Sequence, residues 1–134
     1  MEKTTSEHFK LFCSECSYWI TYFGLFEYRF NFFHTMMKRD HCLAMTKMNS
    51  NDSDKIVGIH LNEDWGYDRV EEYKVRQTAF HEVMEVLLYG IRQNLAQMNA
   101  DWHIHTMIRV FENTVFHESY HRRFGDAKKK HRSR

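Results

Sequence analysis

The chain has 134 residues, 43% of them hydrophobic and 16% aromatic, with a formal net charge of +1. That length suits one domain with its own core, and that apolar content excludes a disordered protein. No run of about eighteen apolar residues occurs, three cysteines suit a reducing compartment, and MEKTTSEHFK lacks a secretory layout, so a cytoplasmic protein without a membrane span is expected.

The first expected element is a helix from Ser6, a residue able to cap it, to Tyr22. Phe9, Phe12, Cys13, Cys16, Ile20 and Phe23 recur at helical spacing, and Gly24 follows as a stop. The period then changes. Tyr28, Phe30 and Phe32 alternate with Glu27, Arg29 and Asn31, which is the signature of a strand. CLAMTKM (42–48) and KIVGIHL (55–61) are two more strands, separated by the turn residues NSNDSD at 49–54. Three antiparallel strands are expected, the last two forming a hairpin, with NEDWGYD ending the sheet. A long helix should run from Asp68 to Gln97, with Glu71 and Glu72 suited to the dipole at its start. After a break at MNAD (98–101), a last helix runs from Asp101 to His121. The fold class is α+β, in the order α-βββ-α-α, with the helices packed on one sheet face. Residues 1–121 form the domain and 122–134 a basic tail.

The CSEC stretch at 13–16, with Cys42, can sketch a structural zinc site. No Gly or Pro forms a knuckle, however, and both cysteines fall on the apolar helix face, which points to buried free thiols. His60, on the strand before the long helix, sits where alternating strands put polar groups outward. Such strands also bind extended peptides by edge pairing.

The long helix carries TAFHEVMEVLLYGI at 78–91. On a wheel, Phe80, Val83, Met84, Leu87 and Ile91 form the core stripe. His81 and Glu85 lie together beyond one edge, one turn apart, and Glu82 lies beside them. That is the pattern of a hydrolytic zinc site: two ligands from one rigid helix, and an adjacent carboxylate that reaches the metal's water. A third ligand is needed. In WHIHTMIRVFENTVF (102–116), Ile104, Met107, Ile108, Phe111 and Val115 form the stripe, and His105 sits beside Ile104 as His81 sits beside Phe80. His103 lies on the opposite shoulder. The set His81, Glu85 and His105 would hold one Zn²⁺ per chain, with Glu82 as general base. The alternative is a helix edge with solvated polar residues.

HESYH at 117–121 matches H-E-x-x-H in full. Its flank RRFGDAKKK is charged, whereas a metal helix must be clamped by a core, so it reads as a chance match able to bind metal weakly. Residues 121–134 carry seven Lys/Arg against one Asp, leaving the remaining 120 residues at −5. A basic tail from Arg122 to Arg134 on an acidic body suits contact with nucleic acid, and a solvated chain end has the same composition.

AFHEVMEVLLYGI followed by HTMIRVFEN resembles a group of small phage-encoded zincin-like metallopeptidases. Their pattern is an apolar helix with H-E-x-x-[HE], then a histidine shortly before I-R-x-[LF]-E-N. SYWITYFGLFEYRFNFF and IVGIHLNEDW are similar to their lead-in, so the resemblance spans residues 9–116. It implies His81, Glu85 and His105 as metal ligands, Glu82 as general base, a peptide or protein substrate, and a host-cell cytoplasm. Ile104 departs from the pattern, which has an acidic residue there. Two functions follow: a zinc peptidase, or an inactive peptidase-like scaffold that binds or inhibits a host protein or nucleic acid.

Overall fold

The computed structural model describes residues 2–37, 42–48, 55–89 and 100–125. The expected turn at 49–54, the helix beyond residue 89, the break at 98–99 and the tail from 126 onward lie outside the described residues. The chain is α+β and falls into two compact units, Met1–Tyr89 and Gly90–Arg134.

The first unit opens with β1 (Glu2–Lys3) and α1 (Ser6–Tyr22). Thr5 rather than Ser6 caps α1. Its hydroxyl accepts from the His8 N–H at 3.3 Å, and its own N–H donates to His8 Nδ1 at 3.0 Å. The imidazole thus takes the part usually played by Glu or Gln in a capping box. At the other end, Phe23 N–H donates to Trp19 O, and Gly24 turns the chain at φ 65°. Phe12, Cys16 and Trp19 are fully buried on the inner face.

β2 (Arg29–Thr35), β3 (Ala44–Met48) and β4 (Ile56–Asn62) form one sheet in the order β2-β4-β3. β3 and β4 are antiparallel as expected, but β2 runs parallel to β4. Two reversals, from β2 to β3 and from β3 to β4, bring β4 back to the direction of β2. β4 then takes the centre because Val57, Ile59 and Leu61 are its most deeply buried positions, each with no exposed surface. A further strand, β5 (Asp64–Gly66), pairs antiparallel with β1. Two and three residues are too few to show alternation, so sequence reading missed this ribbon.

Asn62 pins the loops around the sheet. Its Oδ1 accepts from the N–H groups of Met37 and Asp64 at 3.0 Å each, and its Nδ2 donates to the carbonyls of Met37 and Cys42. Every hydrogen-bonding position of this buried amide is used.

α2 (Glu72–Leu87) begins four residues later than expected, after Glu71. Phe80, Val83 and Met84 are buried as the wheel requires, but Leu87 is 36% exposed. The inner face is turned towards Ala79, Glu82 and Val86 instead. Ala79 is small enough for α1 to cross close by: Cys16 Sγ donates to its carbonyl at 3.9 Å. The Trp19 and Phe80 rings meet edge to face at 4.7 Å across that crossing. Such aromatic burial contributes about 1.5–3 kcal/mol per side chain.

The second unit is α3 (Ala100–Phe111), a π-helical turn (Glu112–Phe116) and α4 (His117–Phe124), closed by Gly125 at φ 82°. A single α-helix ending at His121 was expected. The π turn inserts one extra residue into the helical period, so inward positions after it move on by one. Ile104 and Ile108 are buried as expected, but at the end of the turn Phe116 replaces Val115 as the buried residue, followed by Tyr120. Met107, also placed in the core stripe from sequence, is 37% exposed.

Candidate metal centre

α2 carries His81 and Glu85 one turn apart, on the rim of its buried face. His81 Nε2 lies 3.5 Å from Glu85 Oε1, with side-chain exposures of 31% and 12%. Two donors on a tetrahedral zinc, each about 2.1 Å from the ion, stand about 3.4 Å apart. The observed spacing is therefore long for a hydrogen bond and suitable for a shared ion. The half-exposed imidazole leaves this rim open to water.

Glu82 lies on the inner side of the same turn, only 6% exposed. Its Oε1 accepts from Thr46 Oγ1 on β3 at 2.9 Å, and the same hydroxyl lies 3.2 Å from the Glu82 carbonyl oxygen. A buried carboxylate is costly without such a donor. Thr46 therefore fixes the orientation of Glu82, a role that sequence reading missed. Thr46 shares the inner sheet face with buried Ala44, and a polar residue at a core-facing strand position was the available signal.

His60 lies on the opposite sheet face from Val57, Ile59 and Leu61. Its ring stacks on Phe33 at 4.7 Å, and its Nδ1 is 3.4 Å from Thr35 Oγ1. Burial, then the Lys47 charge, holds its imidazole below the ordinary value. Cys16 is buried, and Cys13 and Cys42 are of intermediate exposure. None belongs to a potential metal-binding group among the described residues.

In the second unit, His105 is exposed on α3 beside buried Ile104. His103 is also exposed, its ring edge-on to Trp102 at 5.1 Å. The HESYH segment forms the start of α4, and it has the core clamp that its charged flank argued against. Phe116, Ser119 and Tyr120 are buried around it, and the Tyr120 and Phe124 rings lie 5.2 Å apart. His117 Nε2 and His121 Nε2 are 2.8 Å apart.

Among the described residues, no helix is long and apolar enough to cross a membrane. Compared with known proteins, the chain matches no family model, no curated protein and no solved structure.

Proposed function

We propose that the chain is a zinc-dependent, metallopeptidase-like hydrolase with its centre on α2. The observation that carries this reading is the His81–Glu85 pair, two donors at 3.5 Å with the carboxylate of Glu82 on the intervening turn. A third donor is needed, and the sequence expectation assigns it to His105. The donor set expected from the sequence is then His81, Glu85 and His105. Two imidazoles and one carboxylate leave one zinc position for water.

A bound Zn²⁺ supplies a water with a pKa of about 7 and a Lewis acid for the scissile carbonyl. With the ion held by these donors, Glu82 would be the general base, its carboxylate accepting a proton and returning it to the leaving amine. Thr46 acts as a positioning residue, holding one Glu82 oxygen so that the carboxylate keeps a single orientation.

Zinc content measured on protein never exposed to a nickel column is the first test, with about one ion per chain expected. Glu82→Gln should keep the zinc and lose peptide hydrolysis. Full retention of hydrolysis in that variant would remove the general-base role.

The burial of Glu82 and its bond to Thr46 favour a second reading, in which the carboxylate is structural. The chain is then a peptidase-like scaffold without turnover that binds a host protein or nucleic acid, with Arg122–Arg134 as the basic contact. Salt-sensitive DNA binding, abolished by removing residues 122–134, would favour this reading.

A further inference from the structure

We infer that His117 and His121 form a second metal site, a two-imidazole clip for a borderline divalent ion of the Cu²⁺, Ni²⁺ and Zn²⁺ class. The inference is independent of the α2 centre. It uses residues of one helix within the second unit.

The Nε2 atoms of the two rings converge to 2.8 Å, with ring centroids 4.0 Å apart and planes at 78°. In the metal-free pair one Nε2–H donates to the other ring's Nε2. Binding an ion between them requires that proton to move to Nδ1 of its own ring, so that both Nε2 lone pairs face the metal. Two nitrogens in neighbouring positions at 90°, each about 2.0–2.1 Å from an ion, stand about 2.9 Å apart. The observed separation is within 0.1–0.2 Å of that figure, roughly, and short of the tetrahedral value. It therefore suits tetragonal Cu²⁺ or octahedral Ni²⁺ best, with water completing the coordination.

The end of the π turn and the rest of α4 hold this geometry in place. Phe116 is fully buried, and Ser119 and Tyr120 are 3% and 7% exposed. Arg123 Nε donates to Ser119 Oγ at 3.0 Å along the same helix. The π turn shifts the inward register onto Phe116 and Tyr120, which leaves the next position of each turn, His117 and His121, half-exposed on the shoulder. Two ligands set on a clamped helix lose little freedom on binding.

The test uses the full chain, purified without immobilised metal and stripped with chelator, and titrated calorimetrically with Ni²⁺ and Cu²⁺. One binding event should weaken by roughly tenfold or more in His117→Ala, and equally in His121→Ala. The double variant should lose no more than either single change. The same event should persist in the His81→Ala/Glu85→Gln variant, which removes the α2 pair, so failures of the two sites are distinguishable. Wild-type affinity and stoichiometry in either His117→Ala or His121→Ala overturns the clip. If those variants do not fold, Cu²⁺ added to the unaltered protein decides. Selective NMR broadening of the Ser119 and Tyr120 amides supports the clip, and broadening confined to other segments overturns it.

Discussion

Arg76 Nη1 on α2 lies 2.7 Å from Glu15 Oε1 on α1, and the other oxygen of Glu15 accepts from Trp19 Nε1 at 2.7 Å. The Glu15 side chain has no exposed surface, and that of Arg76 only 13%. Arg76 Nε also donates to Glu72 at 3.1 Å. Two helices are thus joined by a desolvated carboxylate whose two oxygens are both engaged.

Removing one partner of such a pair leaves a charge stranded in the core. Arg76→Met should lower the unfolding free energy by about 3–5 kcal/mol. Replacing both, as Glu15→Met/Arg76→Met, should cost clearly less, because no uncompensated charge remains. Urea unfolding of the two variants checks this, and equal losses would show that the pair is not the cause.

Thr46 and Glu82 form the link between β3 and the candidate centre. Thr46→Val deletes the hydroxyl and leaves a buried carboxylate short of a donor, at a cost of about 1.5–3 kcal/mol. If Glu82 is the general base, hydrolysis should fall in Thr46→Val with the zinc content unchanged. Thr46→Ser, which keeps the hydroxyl, should restore both stability and rate. A Ser variant as impaired as the Val variant would assign the effect to packing.

His60 gives the fold an acid-sensitive spot. Burial lowers its affinity for a proton, and Lys47 lowers it further. The native state therefore binds the proton less readily than the unfolded chain does. This contribution is fully present above the ordinary imidazole value and is lost as pH falls through that value towards the native one. Lys47→Met should move the His60 titration part of the way back up, because burial is the larger cause. An NMR titration of the His60 ring proton reads this directly, and a downward movement would refute the assignment.

Cys16 is shut away from solvent, and its thiol is pushed well above the ordinary value by burial first and by Cys13, Glu82 and Glu15 after it. The thiolate is the reactive species, so iodoacetamide at mildly alkaline pH should leave Cys16 unlabelled in the folded protein. Cys13, half-exposed and raised by burial alone, should label first of these two. Peptide mapping before and after denaturation distinguishes them.

What the sequence made legible follows from where periodicity is strong. α1 spans Ser6–Tyr22 as its spacing predicts, because seventeen residues give the 3.6-residue period room to show. The three main strands fall within two residues of their expected positions, but strand direction is set by which strand takes the centre, and alternation does not record that. The wheel for α2 counted Leu87 over Ala79 and Val86. A helix crossing depends on small residues that permit close approach, and hydrophobicity undervalues them. Of the candidate centre, the neighbouring positions of His81 and Glu85 followed from helical geometry. The part played by Thr46 did not, since it depends on how β3 faces α2.

The π turn at Glu112–Phe116 makes the length of this short segment a determinant of which face the following histidines occupy. A descendant that dropped one residue there would regain regular winding and swing every later side chain by about 100°. His117 and His121 would then leave the shoulder together while staying one turn apart, and neighbouring residues would inherit their places. Single-residue gain or loss at this point is thus expected to be selected against more strongly than substitution of its exposed residues.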